Sequence, residues 1–392
     1  MAHLSLRIIV GCMSLACNAS WLAAQDSPHF TVSAKTHSDA ALEPAFTAPA
    51  QASELAHTYV YFITNRRIEF DLTPGPKRWK HPNDAFTNRQ APFVIYGRTT
   101  VSYRQDRERG DAAFTESSHR NYSKYFTVGE YEFFDSRASL FAQRDILSPG
   151  RFDNVLFYVH GYNNSFSDAA ERLAFLHLDL RNKGKLPLLF SWPSDPKFEI
   201  TNPDTYKTAR ATSKDTNSLL AFTLSDLFNI PMRITLISHS MGSYLLLNSL
   251  PIKEPEITSG LSDQPGYVSS YIFAASDTPL HEFATNSLPQ LSINGNVTIF
   301  CSDDRALRAA ALHDGVQPDT RLGYCDKPRR PLAGADLVRV TGKIREFAKH
   351  SYFLNYLKML DEMEGTIERF RHRPPGKNIP LVEGTYRELE LP

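Results

Sequence analysis

The sequence predicts an α/β architecture: a mostly parallel central sheet flanked by helices, with a β-rich N-terminal extension of the sheet. Three observations carry this. From Asp153 onward, short apolar runs alternate with helix-period stretches, and strands that are apolar at nearly every position belong to a sheet covered on both faces. From Thr58 to Phe134, strand-like runs follow one another with no helical pattern between them. Between Ile234 and Leu247, a β-prone run ends in Ser238-His239-Ser240-Met241-Gly242 and a helix-compatible run follows at once.

The first 24 residues differ from the rest. Arg7 precedes a mostly apolar run at 8–16, and Leu22-Ala23-Ala24 offers small residues at a cleavage point, so 1–24 reads as a secretory signal peptide. The alternative is the hydrophobic N-terminus of a cytosolic protein. Cys17 follows Ser14-Leu15-Ala16, a poor form of a bacterial lipid-attachment box, which ranks a lipoprotein anchor below a periplasmic or secreted protein. Residues 25–57, rich in Ala, Ser, Thr and Pro, read as a disordered linker.

The main domain is expected over 58–370, its β-rich part being 58–150. Strands are expected at 58–64, 93–103, 125–134, 155–159, 188–190, 234–237, 271–275, 297–300 and 337–340. Helices are expected at 168–181, 205–228, 241–250, 305–312 and 351–370. The tail, 371–392, is rich in proline and charge and is expected to wrap the surface. No run beyond the N-terminus is apolar enough to span a bilayer. The 43 basic and 43 acidic residues cancel, which gives no electrostatic case for nucleic acid or an anionic membrane. Of the four cysteines, Cys301 and Cys325 lie beyond the signal; in an oxidising compartment they can pair and brace the loop after Cys301.

Ligands of such sheets bind at the carboxyl ends of the strands, so the residues after each strand carry the functional argument. Ser240 stands at the apex of a strand–turn–helix, with Gly242 two residues on and Ser238 two residues before, where glycine is usual. Small residues are needed there because the turn brings strand and helix together. The plain alternative is a βα loop in which Ser240 caps a helix. After 155–159 comes His160-Gly161-Tyr162-Asn163, a turn whose backbone can approach a reacting group. The backbone amides of Tyr162 and Met241 are the candidate oxyanion donors. Trp192-Pro193, after 188–190, either lines the pocket or packs.

Three aspartates could orient a histidine. Asp304 follows the second strand after the elbow strand and is preferred. Asp303 can cap the helix beginning at Arg305, and Asp277 is a turn aspartate or an alternative acid. His350 follows the last expected strand and precedes the final helix, where a general base belongs. His281 and His313 precede that strand, His372 lies beyond the helix, and His239 is placed to shape the elbow. The order Ser240, Asp304, His350 is that of one hydrolase class.

These residues resemble a bacterial α/β-hydrolase family of unknown function, esterase- or lipase-like. The matching pieces are Thr64-Asn65-Arg66, His160-Gly161-Tyr162-Asn163, Phe190-Ser191-Trp192-Pro193-Ser194, Ser238-His239-Ser240-Met241-Gly242, Ala274-Ala275-Ser276-Asp277, Asp304-Arg305-Ala306-Leu307 and His350-Ser351-Tyr352. Ser276, where proline is expected, and the insert containing Cys325 depart from the pattern. The resemblance implies an α/β-hydrolase fold and the same Ser240, His350 and Asp304. The expected activity is hydrolysis of a small-molecule or lipid-like carboxylic ester through an acyl-enzyme, with no metal or organic cofactor. The ester preference rests on fold analogy, since amidases, thioesterases and lipases share these parts. A catalytically silent binding module at the cell envelope is the alternative of a different class. A lipase would need a lid, for which 197–206 or 315–331 could serve.

Overall fold

The computed structural model describes residues 31–32, 55–68, 85–110, 114–116, 121–123, 125–134, 136, 140, 152, 154–181, 184–194, 203–230, 232–250, 268–342, 344, 349–369 and 384–391. The expected signal peptide, Cys17 and His372 lie outside these residues, as does most of the expected linker.

The N-terminal part supplies β1 (Thr31–Val32), β2 (Leu55–Ile68), β3 (Phe86–Arg104), a detached ribbon of β4 (Phe114–Glu116) and β5 (Asn121–Ser123), and β6 (Phe126–Phe134). Strand and helix then alternate: β7 (Asn154–Val159), α1 (Phe166–Asp179), β8 (Lys185–Ser191), α2 (Pro203–Phe228), β9 (Arg233–His239), α3 (Met241–Ser249) and β10 (Val268–Ala274). Two short helical segments, Leu280–Glu282 and Phe283–Ser287, lead into α4 (Leu288–Asn294). The chain closes with β11 (Asn296–Cys301), α5 (Arg305–His313), β12 (Ala335–Gly342), α6 (Leu357–Arg369) and β13 (Thr385–Leu391).

Among the described residues, eleven strands form one sheet in the order β1-β6-β3-β2-β8-β7-β9-β10-β11-β12-β13. The pairs from β1 to β2 are antiparallel, and those from β2 to β13 are parallel. The period of two along each central strand divides its side chains between two cores. Val155, Phe157 and Val159 of β7 join one with α2 and α3; Leu156 and Tyr158 join the other with α1 and α6. Each large side chain so buried stabilises by about 1.5–3 kcal/mol, which is why β7 and β9 can be apolar throughout. Helix α1 starts at a capping box, Ser165 accepting from the Asp168 N–H and Asp168 from the Ser165 N–H.

The chain leaves β7 for β8 on one side and returns as β9 on the other. This strand-order reversal opens a crevice at the carboxyl ends. Val159 pairs with Ser238 across it, so the segments after β7 and β9 emerge level with one another.

Several elements differ from expectation. Strand β2 begins at Leu55, inside the stretch read as linker, and Thr31–Val32 pairs with β6. The tail does not simply wrap the surface. Residues 385–391 add β13 to the sheet edge, Asp336 pairing with Thr385 through to Gly342 with Leu391. Its charge-rich alternation suits an edge strand, where only one side chain, Leu391, is buried. The helical stretch before β11 carries no sustained period and was not expected. The stretch 351–370 opens with a tight turn at Tyr352–Leu354 before α6 starts at Leu357.

The insert after α5 is laced to the sheet. The N–H groups of Leu322, Gly323 and Cys325 donate to the carbonyls of Thr278 (2.9 Å), Ser276 (2.9 Å) and Ser302 (2.8 Å). Cys301 and Cys325 stand at disulfide distance, Cα–Cα 5.6 Å. Closing a loop of 24 residues removes unfolded-state entropy worth about 3 kcal/mol. Replacing both cysteines by serine is therefore expected to lower stability by about that amount in denaturant unfolding. A midpoint equal to the parent's would show that the pair does not form.

Candidate active site

Ser240 sits between the end of β9 and the start of α3 at φ 52°, ψ −126°. A positive φ costs a residue with a β-carbon on the order of 1–3 kcal/mol, and persists only where the surroundings enforce it. Here the Ser240 N–H donates to Ala274 O (3.0 Å), while its carbonyl accepts from the N–H groups of Ser243 (3.0 Å) and Asp277 (3.2 Å). A β-carbon on Gly242 would lie 2.6 Å from Val159 O and closer still to His160 O, so only glycine lets α3 touch the end of β7. Ser238 is compatible with the turn because its hydroxyl, buried, donates to Ser243 Oγ at 3.0 Å.

The loop after β7 passes directly over the serine. A β-carbon on Gly161 would be 2.9 Å from Ser240 Cβ and 2.9 Å from His239 Nδ1. Tyr162 follows, its ring edge-on to Tyr206 and its hydroxyl donating to Thr205 (2.9 Å). Met241, the first residue of α3, has an N–H with no partner one turn back in its own helix. Trp192 packs and does not line an opening: it is fully buried, stacks on His160, and its indole N–H donates to His160 O (2.8 Å).

Asp304 and His350 meet across the ends of β11 and β12. His350 Nδ1–H donates to Asp304 Oδ2 at 2.6 Å, and Asp304 Oδ1 accepts from the Leu307 N–H at 2.9 Å. Thus Asp304 itself caps α5, the task expected of Asp303; Asp303 instead lies 3.4 Å from Lys349 Nζ. Burial at 0% exposure raises the Asp304 carboxyl above its ordinary value, while His350 and the N–H groups of Leu307 and Ala306 oppose the rise. Behind this pair, Tyr352 donates to Phe300 O (2.9 Å) and accepts from the Ala275 N–H (3.2 Å).

His350 comes beside the elbow through His239. The two rings are 4.5 Å apart, and His239 Nε2–H donates to His350 O (3.2 Å). Burial first, then the neighbouring His350, holds His239 well below the ordinary histidine value of 6.5, so it stays neutral. The carboxyl ends of β7, β9, β11 and β12 thus gather a strained, nearly buried serine, an imidazole oriented by a carboxylate, and a glycine turn. These are the residue types, a hydroxyl, an imidazole paired with a carboxylate and backbone N–H groups, that acyl-transfer chemistry uses.

Asp277 points elsewhere. Its carboxylate accepts from Tyr206 Oη (2.6 Å) and lies 3.4 Å from both Arg210 and Arg321; Arg321 also pairs with Asp314. Arg210 lies over the Tyr244 ring at 4.2 Å. His313 ends α5 with its ring 6.0 Å from Tyr206, and His281 lies in the exposed turn before α4. Among the described residues, no group of three or more His, Cys, Asp or Glu side chains could hold a metal ion.

Sequence reasoning named Arg66 and Tyr352 only as pieces of the resemblance, without a role, and did not single out Asn164. Arg66 and Asn164 are buried under the glycine turn: the Arg66 guanidinium donates to Ser191 Oγ (2.9 Å), Asn88 Oδ1 (3.0 Å) and Asn164 O (2.7 Å). Burial pushes it down to about 9 against the field of Asp168. An arginine closing a strand reads as solvated, and nothing in the order His160-Gly161-Tyr162-Asn163-Asn164 sets the second asparagine apart from the first.

Residues 141–363 match the model of a family described as alpha/beta hydrolase of unknown function (DUF900). No curated protein matches the chain. Among solved structures it is similar to an esterase B from Lactobacillus rhamnosis, at 10% identity over 62% of this chain and 67% of that one, TM-score 0.25. It is also similar to the phospholipase PlaB from Legionella pneumophila, at 17% identity over 49% of this chain and 38% of that one, TM-score 0.23.

Proposed function

This chain belongs to the DUF900 family of alpha/beta hydrolases, and from that premise we propose that it is a serine hydrolase of carboxylic esters. Ser240 Oγ attacks the acyl carbon and His350 Nε2 takes its proton. Asp304 holds the imidazole through Nδ1–H and stabilises the imidazolium. The N–H groups of Tyr162 and Met241 stabilise the oxyanion. His350 returns the proton to the leaving alcohol, and water, activated by the same histidine, releases the acid. The observation that carries the reading is the 2.6 Å His350–Asp304 contact beside a serine held at φ 52°. An exported place of action, periplasmic or secreted, belongs to the same reading. The Cys301–Cys325 pair suits an oxidising compartment, and no helix among the described residues is long and apolar enough to cross a membrane.

A fluorophosphonate probe tests it on the full chain. The expected result is one covalent adduct, mapped to Ser240 by peptide mass and absent from Ser240→Ala, together with turnover of nitrophenyl esters of graded chain length. Folded protein that neither labels nor turns over would favour the binding module.

A further inference from the structure

The Tyr162 N–H can serve as an oxyanion donor only if the peptide linking Gly161 to Tyr162 is held at a fixed angle, and glycine alone does not hold it. This peptide is trans, so its carbonyl and its N–H point in opposite directions. Fixing the Gly161 carbonyl from behind therefore aims the Tyr162 N–H in front. Two donors do so: His160 Nδ1–H at 2.9 Å and Asn164 Nδ2 at 3.2 Å. The His160 tautomer is dictated, because its Nε2 accepts from the Trp192 N–H at 3.1 Å. Asn164 Nδ2 also donates to Tyr162 O at 2.8 Å, so one amide holds the carbonyls on both sides of residue 162.

Asn164 is itself locked. Its N–H donates to Ser194 Oγ (3.1 Å), and its carbonyl accepts from Ser194 Oγ (2.9 Å) and from Arg66 (2.7 Å). Asn163 at φ 57° supplies the reversal that brings the Asn164 side chain back under the turn. The three acceptors of the buried Arg66 named above are all neutral oxygens, so its positive charge acts in a low-dielectric interior behind the same loop. Hydrogen bonds accepted by a peptide carbonyl also polarise the N–H at its other end.

We propose that Asn164, backed by Arg66 and aided by His160, is a positioning residue that aims and polarises the Tyr162 N–H toward the oxyanion. This rests on the serine-hydrolase reading and adds to it residues that touch no substrate. Asn164→Asp keeps the side chain's size and replaces its donor by an oxygen that repels both carbonyls; Asn164→Ala removes the donor alone. Active sites are counted with the fluorophosphonate, and each preparation is assayed with a short-chain nitrophenyl ester. Binding of a trifluoromethyl ketone, whose adduct with serine carries an oxyanion, is measured alongside. Both variants are expected to lose about 10–100-fold in kcat per titrated site with KM within about twofold, and ketone affinity is expected to fall in parallel with kcat/KM. Arg66→Lys, which keeps the charge and loses the three-way fork, is expected to show the same parallel loss on a smaller scale. Fewer titratable sites with an unchanged kcat per site would mean a purely structural role and overturn the proposal, as would a loss confined to KM. Failure of the parent reading is separate: the unsubstituted protein would then neither label nor turn over, or Ser240→Ala would still do both.

Discussion

Asp304→Asn is expected to lower ester turnover by about 10⁴-fold, with KM little changed. The size follows from the two tasks of one carboxylate. In the asparagine variant, Oδ1 keeps accepting the Leu307 N–H that caps α5, so the new NH₂ group is turned toward His350. Facing a donor, His350 Nδ1 must become the acceptor, and the ring's proton moves to Nε2. A histidine protonated there cannot take a proton from Ser240. The helix cap thus enforces the wrong tautomer. Because a buried negative charge is replaced by a neutral amide that keeps the cap, the melting temperature should move little. Steady-state kinetics on folded variant check this; a loss under about tenfold would mean that another group orients the base.

Asp277→Asn is expected to behave in the opposite way. It should lose about 3–5 kcal/mol of stability while turnover per folded molecule changes by less than about tenfold. The Asp277 side chain is 1% exposed and faces two guanidiniums, Arg210 and Arg321, the latter 2% exposed. Removing the carboxylate's charge leaves two largely buried guanidiniums sharing the single carboxylate of Asp314, whereas the residue 277 N–H still holds the Ser240 carbonyl. Urea unfolding alongside ester kinetics gives both quantities. If Asp277→Asn silences turnover and Asp304→Asn does not, the acid has been assigned to the wrong strand.

How far the site could be read beforehand differs from residue to residue. The turn at Ser240 is legible because its parts are local: strand, small residues and helix follow one another in the chain. The choice of Asp304 over Asp303 and Asp277 rested on strand order, and chain order cannot say which carboxylate faces which imidazole. Only the packing of β11 beside β12 brings Asp304 within 2.6 Å of His350, and only the cap geometry gives Asp304 rather than Asp303 the end of α5. Strand β13 escaped notice because an edge strand buries too little to leave an apolar alternation.

The sequence by itself determined the α/β class, the parallel sheet and the position of the elbow. All three depend on short-range patterns, the period of two in strands, the helical period and the residue size a tight turn admits, and each is written within a dozen residues or so. The tertiary structure alone decided the partners of the buried polar groups. Arg66 behind Asn164, Asp277 between two arginines and His239 on the carbonyl of His350 join segments that the chain separates by tens to more than a hundred residues. Such groups leave water only when a partner waits at the right distance, and that distance is a property of how the strands are ordered in the sheet.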